Sequence, residues 1–338
     1  MTNGINYLEY NRLFIGTGQK CTYLWTSSKV RRYKKVLWIL KLIYGAISKV
    51  EVSRPYSPLR LGPRQAKVAF FCLGLLYLSK LMEMNQSQRK SFEGLIKDYP
   101  ETILNIFWPY QCSSWGVLTR IEHLHNHCVT VDRLENKFSL RNHKHIIITE
   151  LNEVYPGLRI VLDKNRYFLR EGLLVINLYI EDSRIFSLAF SFYQYESGEI
   201  DAIIGAIQGR KSANIKEIYH DITKQTHGIR PRDLLIEIFQ LICSHLGVSK
   251  IIAVSNTYRQ HRHIYYSLAN KEQLIVLNYD EVWQDRGASY YSEEFYKLPA
   301  YLIRRTKKEI ASKKRSLYKK RYLFLDQLEA TLKQYFSL

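Results

Sequence analysis

Acid, sulfur and long apolar runs are what this 338-residue chain has least of. It carries 31 Asp and Glu against 50 Lys and Arg, a net charge of +19. Its five cysteines, Cys21, Cys72, Cys112, Cys128 and Cys243, are scattered and odd in number, with no C-x-x-C pair. That argues against a disulfide framework or a structural zinc site. The two most apolar runs, 36–47 and 68–78, fall short of the roughly 18–20 residues that cross a bilayer. Residues 1–10 lack a basic stretch followed by an apolar core, so no secretory signal is expected. No Walker motif, dinucleotide fingerprint, H-E-x-x-H or G-x-S-x-G element is present. The expected compartment is the cytoplasm, with association at the inner-membrane surface compatible with the charge.

What is there suffices for a real core: 46% of residues are hydrophobic, and Tyr alone numbers 26. The charge is uneven. Residues 1–150 hold 22 basic and 10 acidic side chains, residues 151–285 hold 15 and 16, and residues 286–338 hold 13 and 5. A neutral middle between basic flanks suits an anionic small molecule, a lipid headgroup or another polyanion, or simply a solvated basic surface. No recognised nucleic-acid motif accompanies the pI of about 9.6, which makes RNA the weaker expectation.

Periodicity divides the chain at the same places. Helical spacing runs over 31–50, 64–84, 87–99 and 116–129, so 1–150 reads as a helical N-terminal region. After Pro156 and Gly157 the period falls to two. Strands are expected at 158–162, 172–181, 185–195 and 200–208, the last three joined by tight turns as an antiparallel meander. A connector with a helix at 215–224 leads to helix 231–246, strand 250–255, helix 258–268 and strand 274–279. Residues 151–285 therefore read as an α+β domain with one βαβ crossover. Residues 286–338 read as a basic tail dominated by a helix over 303–335.

The stretch His227-Gly228-Ile229-Arg230-Pro231 stands at the start of helix 231–246. Pro231 suits the first helical position, Asp233 lies in the first turn, and Gly247 suits the stop. A helix N-terminus attracts anions, and His227 and Arg230 would guard this one. The alternative is a helix start whose arginine makes a structural salt bridge. In the run His123, His125, His127, positions 123 and 127 would share a helix face, as metal ligands often do. No third fixed ligand accompanies them, so surface or capping histidines are expected, and no metal.

Four segments together resemble the VirK/YbjX family of Gram-negative bacteria. They are Ile204-Gly205-Ala206-Ile207-Gln208-Gly209, Lys224-Gln225-Thr226-His227-Gly228-Ile229-Arg230-Pro231, Ala253-Val254-Ser255-Asn256, and Lys319-Lys320-Arg321-Tyr322-Leu323-Phe324-Leu325-Asp326. The resemblance covers about residues 55–335. It implies a bacterial protein linked to virulence, cell-envelope integrity and resistance to cationic antimicrobial peptides, and it supplies no reaction.

The element order of the middle third is similar to the acetyltransferase-like (GCN5-related) mixed sheet with flanking helices. That likeness implies an acyl-CoA, or another phosphate-bearing ligand, lying on the N-terminus of helix 231–246 between two strands that splay. Gln208, Gly209, Arg230 and Arg232 would bind its phosphates, and Asn256 with the basic cluster Arg259-Gln260-His261-Arg262-His263, at the end of strand 250–255, would complete a cationic rim around the pocket. Tyr265 would protonate the leaving thiolate, and His227 or Glu199 would serve as base. The sequence departs from that pattern in the connector of about twenty residues, Arg210 to Arg230, where strand should join helix directly. A non-catalytic binding or chaperone-like module on the same scaffold is the alternative.

Overall fold

The computed structural model describes residues 28–49, 63–76, 82–83, 85–98, 100–134, 138, 145–263 and 277–337. The N-terminal half supplies helices α1 (Ser28–Lys49), α2 (Pro63–Leu76), α3 (Gln86–Asp98) and α4 (Val117–Arg133). Between α3 and α4 a 3-10 turn, Pro100–Ile103, runs into the single helical turn Leu104–Phe107. The rest is built on one eight-stranded sheet. Its strands are β1 (His145–Glu150), β2 (Leu158–Asp163), β3 (Leu174–Ile180), β4 (Ser183–Gln194), β5 (Ile200–Gly209), β6 (Lys250–Val254), β7 (Ser289–Tyr290) and β8 (Phe295–Leu298). They lie in the order β1-β2-β3-β4-β5-β6-β8-β7. Every pairing is antiparallel except β5 with β6.

The crossover between β5 and β6 contains α5 (Ile215–Gln225) and α6 (Pro231–His245). α6 is apolar nearly all round, as a fully buried helix must be. Leu234, Leu235, Ile236, Ile238, Phe239, Leu241 and Ile242 are all buried. Phe239 meets Phe190 of β4 at 4.7 Å between ring centroids, so α6 lies on the sheet. The last helix, α8 (Arg315–Ser337), buries Leu325, Leu328, Leu332 and Phe336, and its Phe336 stacks on Phe138. Residues 105–112 also reach the sheet: Asn105 donates to the Leu169 carbonyl, and the Tyr110 hydroxyl pairs with Ser191 at 2.7 Å.

β4 is twelve residues long and outruns β3, whose pairing starts at Leu174 opposite Phe190. Beyond that point α4 provides acceptors for the strand's amides. The Phe192 N–H donates to His127 Nδ1 at 3.0 Å, and the Gln194 N–H donates to Asn126 Oδ1. Residues of the triple-histidine run are thus partners inside the fold, where surface or capping positions were expected. Burial holds the imidazoles of His123 and His127 down to about 3, so both are neutral. His123 stacks on Trp115 at 3.9 Å. Among the described residues no group of His, Cys, Asp and Glu is placed to hold a metal.

Several elements differ from the sequence reading. β1, β7 and β8 are short strands that the periodicity did not mark. Tyr279, expected in a strand over 274–279, opens the helix α7 (Tyr279–Asp285). Its N-terminus is fixed by the Asn278 side chain, which accepts from the Asp280 N–H. The helix expected over 258–268 is a single 3-10 turn, Gln260–Arg262, within the described residues. The tail helix starts at Arg315, and residues 302–311 are irregular. Among the described residues no helix is long and apolar enough to cross a membrane.

Candidate functional site

β5 and β6 run together only from Asp201–Lys250 to Ile204–Ala253. β5 then continues to Gly209, while β6 stops at Val254. Three loops converge on this notch. Gln111, held in the left-handed region at φ 51°, accepts nothing from β5 but donates its side-chain amide to the Ile203 carbonyl at 3.1 Å. Its backbone N–H donates to the Arg170 carbonyl at 2.6 Å. Cys112 bridges to Arg259, and the Ser113 N–H donates to the Tyr258 carbonyl. Gln260 donates to Glu171 Oε1 at 2.8 Å, and His261 Nε2 stands 3.4 Å from the same oxygen.

Two glycines allow this approach. A Cβ on Gly205 would lie 1.9 Å from the Glu171 carbonyl oxygen, and one on Gly172 would lie 2.4 Å from the Phe190 nitrogen. The backbone of 171–172 therefore sits directly on β4 and β5, and its side chain is fixed by main-chain contact.

Glu171 is 3% exposed. Burial pushes its carboxyl up to about 7, although Arg170, Gln260 and Arg259 each pull it down. A carboxyl titrating near neutrality exchanges protons efficiently at physiological pH. Glu171 Oε2, Gln111 Oε1 and Gln260 Oε1 are shut from solvent and have no hydrogen-bond partner among the described residues. Such acceptors cost stability when left unmet, so each favours an incoming N–H or O–H donor. His261, about one-third exposed, connects the carboxyl to the surface.

The notch itself is partly filled. The Tyr279 hydroxyl donates to the Ile207 carbonyl at 3.1 Å and lies 2.9 Å from the Ile207 nitrogen. Arg259 covers the Tyr279 ring at 3.5 Å and donates to the Leu277 carbonyl. Tyr279 takes the hydrogen bonds that an extended ligand would otherwise make with β5 at Ile207.

Of the residues singled out from sequence, Arg259 is buried within this cluster. Asn256 stands beside it but is engaged with α7: it accepts from the Tyr279 N–H and donates its own N–H to Asp280 Oδ1. Gln208 is half-buried, and the Gly209 position is crowded by Tyr219 and Phe186. Glu199 is exposed on the β4–β5 turn, at the opposite end of β5. Tyr265 lies outside the described residues.

The start of α6 forms a separate group. Arg230 is its exposed N-cap residue. Arg232 pairs with Asp233 at 2.8 Å and Asp285 at 3.5 Å. The left-handed pair His227 and Gly228 presents the His227 carbonyl to Arg321, which donates from Nε and Nη2 at 3.1 and 2.9 Å. The turn before α6 is thereby tied to a residue of the tail. Arg321→Ala removes two charge-assisted bonds from a half-buried carbonyl, and is expected to lower unfolding free energy by about 1.5 kcal/mol in urea titrations.

Glu171, Gln111 and Cys112 were not proposed from sequence. His261 and Gln260 fall in the basic run 259–263, whose charge was visible. Glu171 and Gln111 come from loops with no motif to mark them.

The chain combines an α+β architecture, a mostly antiparallel sheet and a loop-built polar cluster at its one parallel pairing. A family described as "Protein of unknown function (DUF535)" matches residues 61–334. The chain belongs to that family, which is the VirK/YbjX family. It is 37% identical over 144 residues to the uncharacterized protein YbjX of Escherichia coli, covering 42% of each chain. It is also similar to two uncharacterized proteins of Haemophilus influenzae. One is 30% identical over 58% of this chain and 62% of its own length; the other is 26% identical over 55% and 60%. The matches therefore span less than two-thirds of each relative. No solved structure matches the chain.

Proposed function

We infer that the protein is an acyltransferase-like enzyme whose acid–base centre is Glu171 with His261. The observation that carries this reading is the buried carboxyl, with one oxygen unmet, placed where β5 and β6 part and reached from the surface through His261. In the reaction an acceptor amine or hydroxyl gives its proton to the Glu171 carboxylate as its nitrogen or oxygen attacks the acyl carbonyl. The new acyl bond forms, the bond to the leaving thiolate breaks, and the thiolate takes up the proton that Glu171 received. Gln111 and Gln260 offer further acceptor oxygens to orient the attacking group. The donor is an acyl-CoA or another phosphate-bearing acyl carrier, with the exposed Arg230 available to its phosphates. The donor's arm does not run along β5 at Ile207, because Tyr279 is already there.

This enzyme would act in the cytoplasm or at the inner-membrane surface. It would support envelope integrity, virulence and antimicrobial-peptide resistance, as the family resemblance implies. A non-catalytic binding module is the second reading, favoured by the Tyr279 hydroxyl in the notch and by the internal contacts of Asn256 and Arg232.

The test is thiol release from a panel of acyl-CoA donors by the full chain, with lipid and amine acceptors supplied. Glu171→Gln is expected to lower the rate by about a hundredfold or more, and His261→Ala less, with the rate of the wild type rising through the titration of Glu171. Equal rates for wild type and Glu171→Gln, or no release from any donor, would leave the binding-module reading standing.

A further inference from the structure

A polar cavity of about 320 Å³ lies between α6, the end of α7, residues 302–305 and α8. It holds four arginines, Arg286, Arg304, Arg305 and Arg321, with Tyr318 and Tyr322 between them. Among the described residues, two of these guanidinium groups form salt bridges: Arg286 with Glu237, and Arg304 with Asp326. Arg321 donates to the His227 carbonyl and covers the Tyr318 ring at 4.4 Å. Arg305 makes no salt bridge among the described residues. Its guanidinium donates to the Tyr318 hydroxyl, and Glu309 is near enough to feel its charge.

The acids on the cavity wall are Glu237 and Asp285. Glu237 pairs with Arg286, and Asp285 shares Arg232 with Asp233. Four guanidinium groups against these two carboxylates leave the wall net positive, and Arg305 and Arg321 make no salt bridge among the described residues. Arg286 Nε is also shut from solvent without a hydrogen-bond partner. Planar guanidinium groups match the oxygens of a phosphate, and several converging on one recess can grip it from more than one side. The volume suits one phosphate with a small group attached.

We propose that this cavity binds a phosphate group, presented by a lipid headgroup or by a soluble phosphate compound. It is distinct from the Glu171 cluster and does not depend on the catalytic reading. The surroundings suit a headgroup. Tyr301 and Ile303 are 70% and 63% exposed on the segment that forms one wall, and Leu323 is exposed on α8. Lys307, Lys308, Lys313, Lys314, Lys319 and Lys320 are exposed on the same stretch of chain. Exposed aromatic and aliphatic groups among lysines are what an anionic bilayer surface attracts.

The experiment uses the full chain and two probes. Flotation with phosphatidylcholine vesicles, with or without phosphatidic acid, reads the lipid arm. Thermal shift and calorimetry with inorganic pyrophosphate read the soluble arm. Arg305→Ala is expected to weaken whichever binding occurs by about tenfold or more, as loss of one charged donor requires. The double variant Lys211→Ala/Lys216→Ala removes more charge at exposed positions away from the cavity and from this stretch, and is expected to change it by less than about threefold. Binding in either arm with that ranking upholds the site, and the responding arm identifies the source. No binding of either probe overturns it. So does an equal or larger effect of the double lysine variant, which would show diffuse attraction to the basic surface.

Discussion

Gly205→Ala is expected to destabilise the protein by about 3–4 kcal/mol or more, because its new methyl has nowhere to go. A Cβ at that position meets the Glu171 carbonyl oxygen at 1.9 Å and the Glu171 carbonyl carbon at 2.8 Å. Both are backbone atoms, so no rotamer change relieves the overlap. β5 is a central strand, paired with β4 on one side and with β6 on the other. The strain must therefore lift the 170–172 loop off the sheet. Gly172 holds the other end of that loop just as closely against Phe190. Gly45→Ala is the control. A Cβ there meets nothing within 4 Å, and an alanine inside α1 is expected to be neutral or to stabilise by up to about 1 kcal/mol. Denaturant unfolding of the two variants checks the contrast. A Gly205→Ala protein as stable as the wild type would mean that Glu171 is not seated on β5.

Much of the frame was legible from local pattern. The meander, α5, α6 and β6 stand within two residues of the positions their periodicity marks, because strands buried on one or both faces and a buried helix write that burial into the sequence. The family segments also converge. Gly205 seats Glu171, the His227–Gly228 turn receives Arg321 from the tail, and Asn256 anchors α7. The candidate site was less legible. Its groups come from loops 110–112, 170–171 and 259–261, which are set by long-range contact and carry no period. Glu171 in particular has the sequence surroundings of an ordinary solvated acid, between Arg170 and Gly172. Only the sheet beneath it makes it a buried carboxyl. Tyr279 was missed as a plug for the reverse reason: its run of apolar neighbours reads as strand, whereas Asn278 starts a helix there.

Glu171 is expected to make the wild type lose stability relative to Glu171→Gln as pH rises from 5 to 8. The sign follows from linkage. Burial raises the carboxyl from 4.5 to about 7, so the folded state holds the proton more tightly than the unfolded chain does. The resulting stabilisation is fully present below the unfolded value. It fades as pH climbs through about 7, because the folded state must then accommodate a buried charge. The shift corresponds to about 2–3 kcal/mol between those pH values. Glutamine keeps an oxygen that can accept from Gln260 but cannot ionise, so its curve should lack this component. The difference in unfolding free energy, Glu171→Gln minus wild type, is therefore expected to grow with pH, as read from urea titrations at matched ionic strength. Parallel curves for the two proteins would show a solvated carboxyl of ordinary acidity, and with it a site that cannot take a proton near neutral pH. A diverging pair would place a titrating group in the fold's interior, where β5 and β6 part.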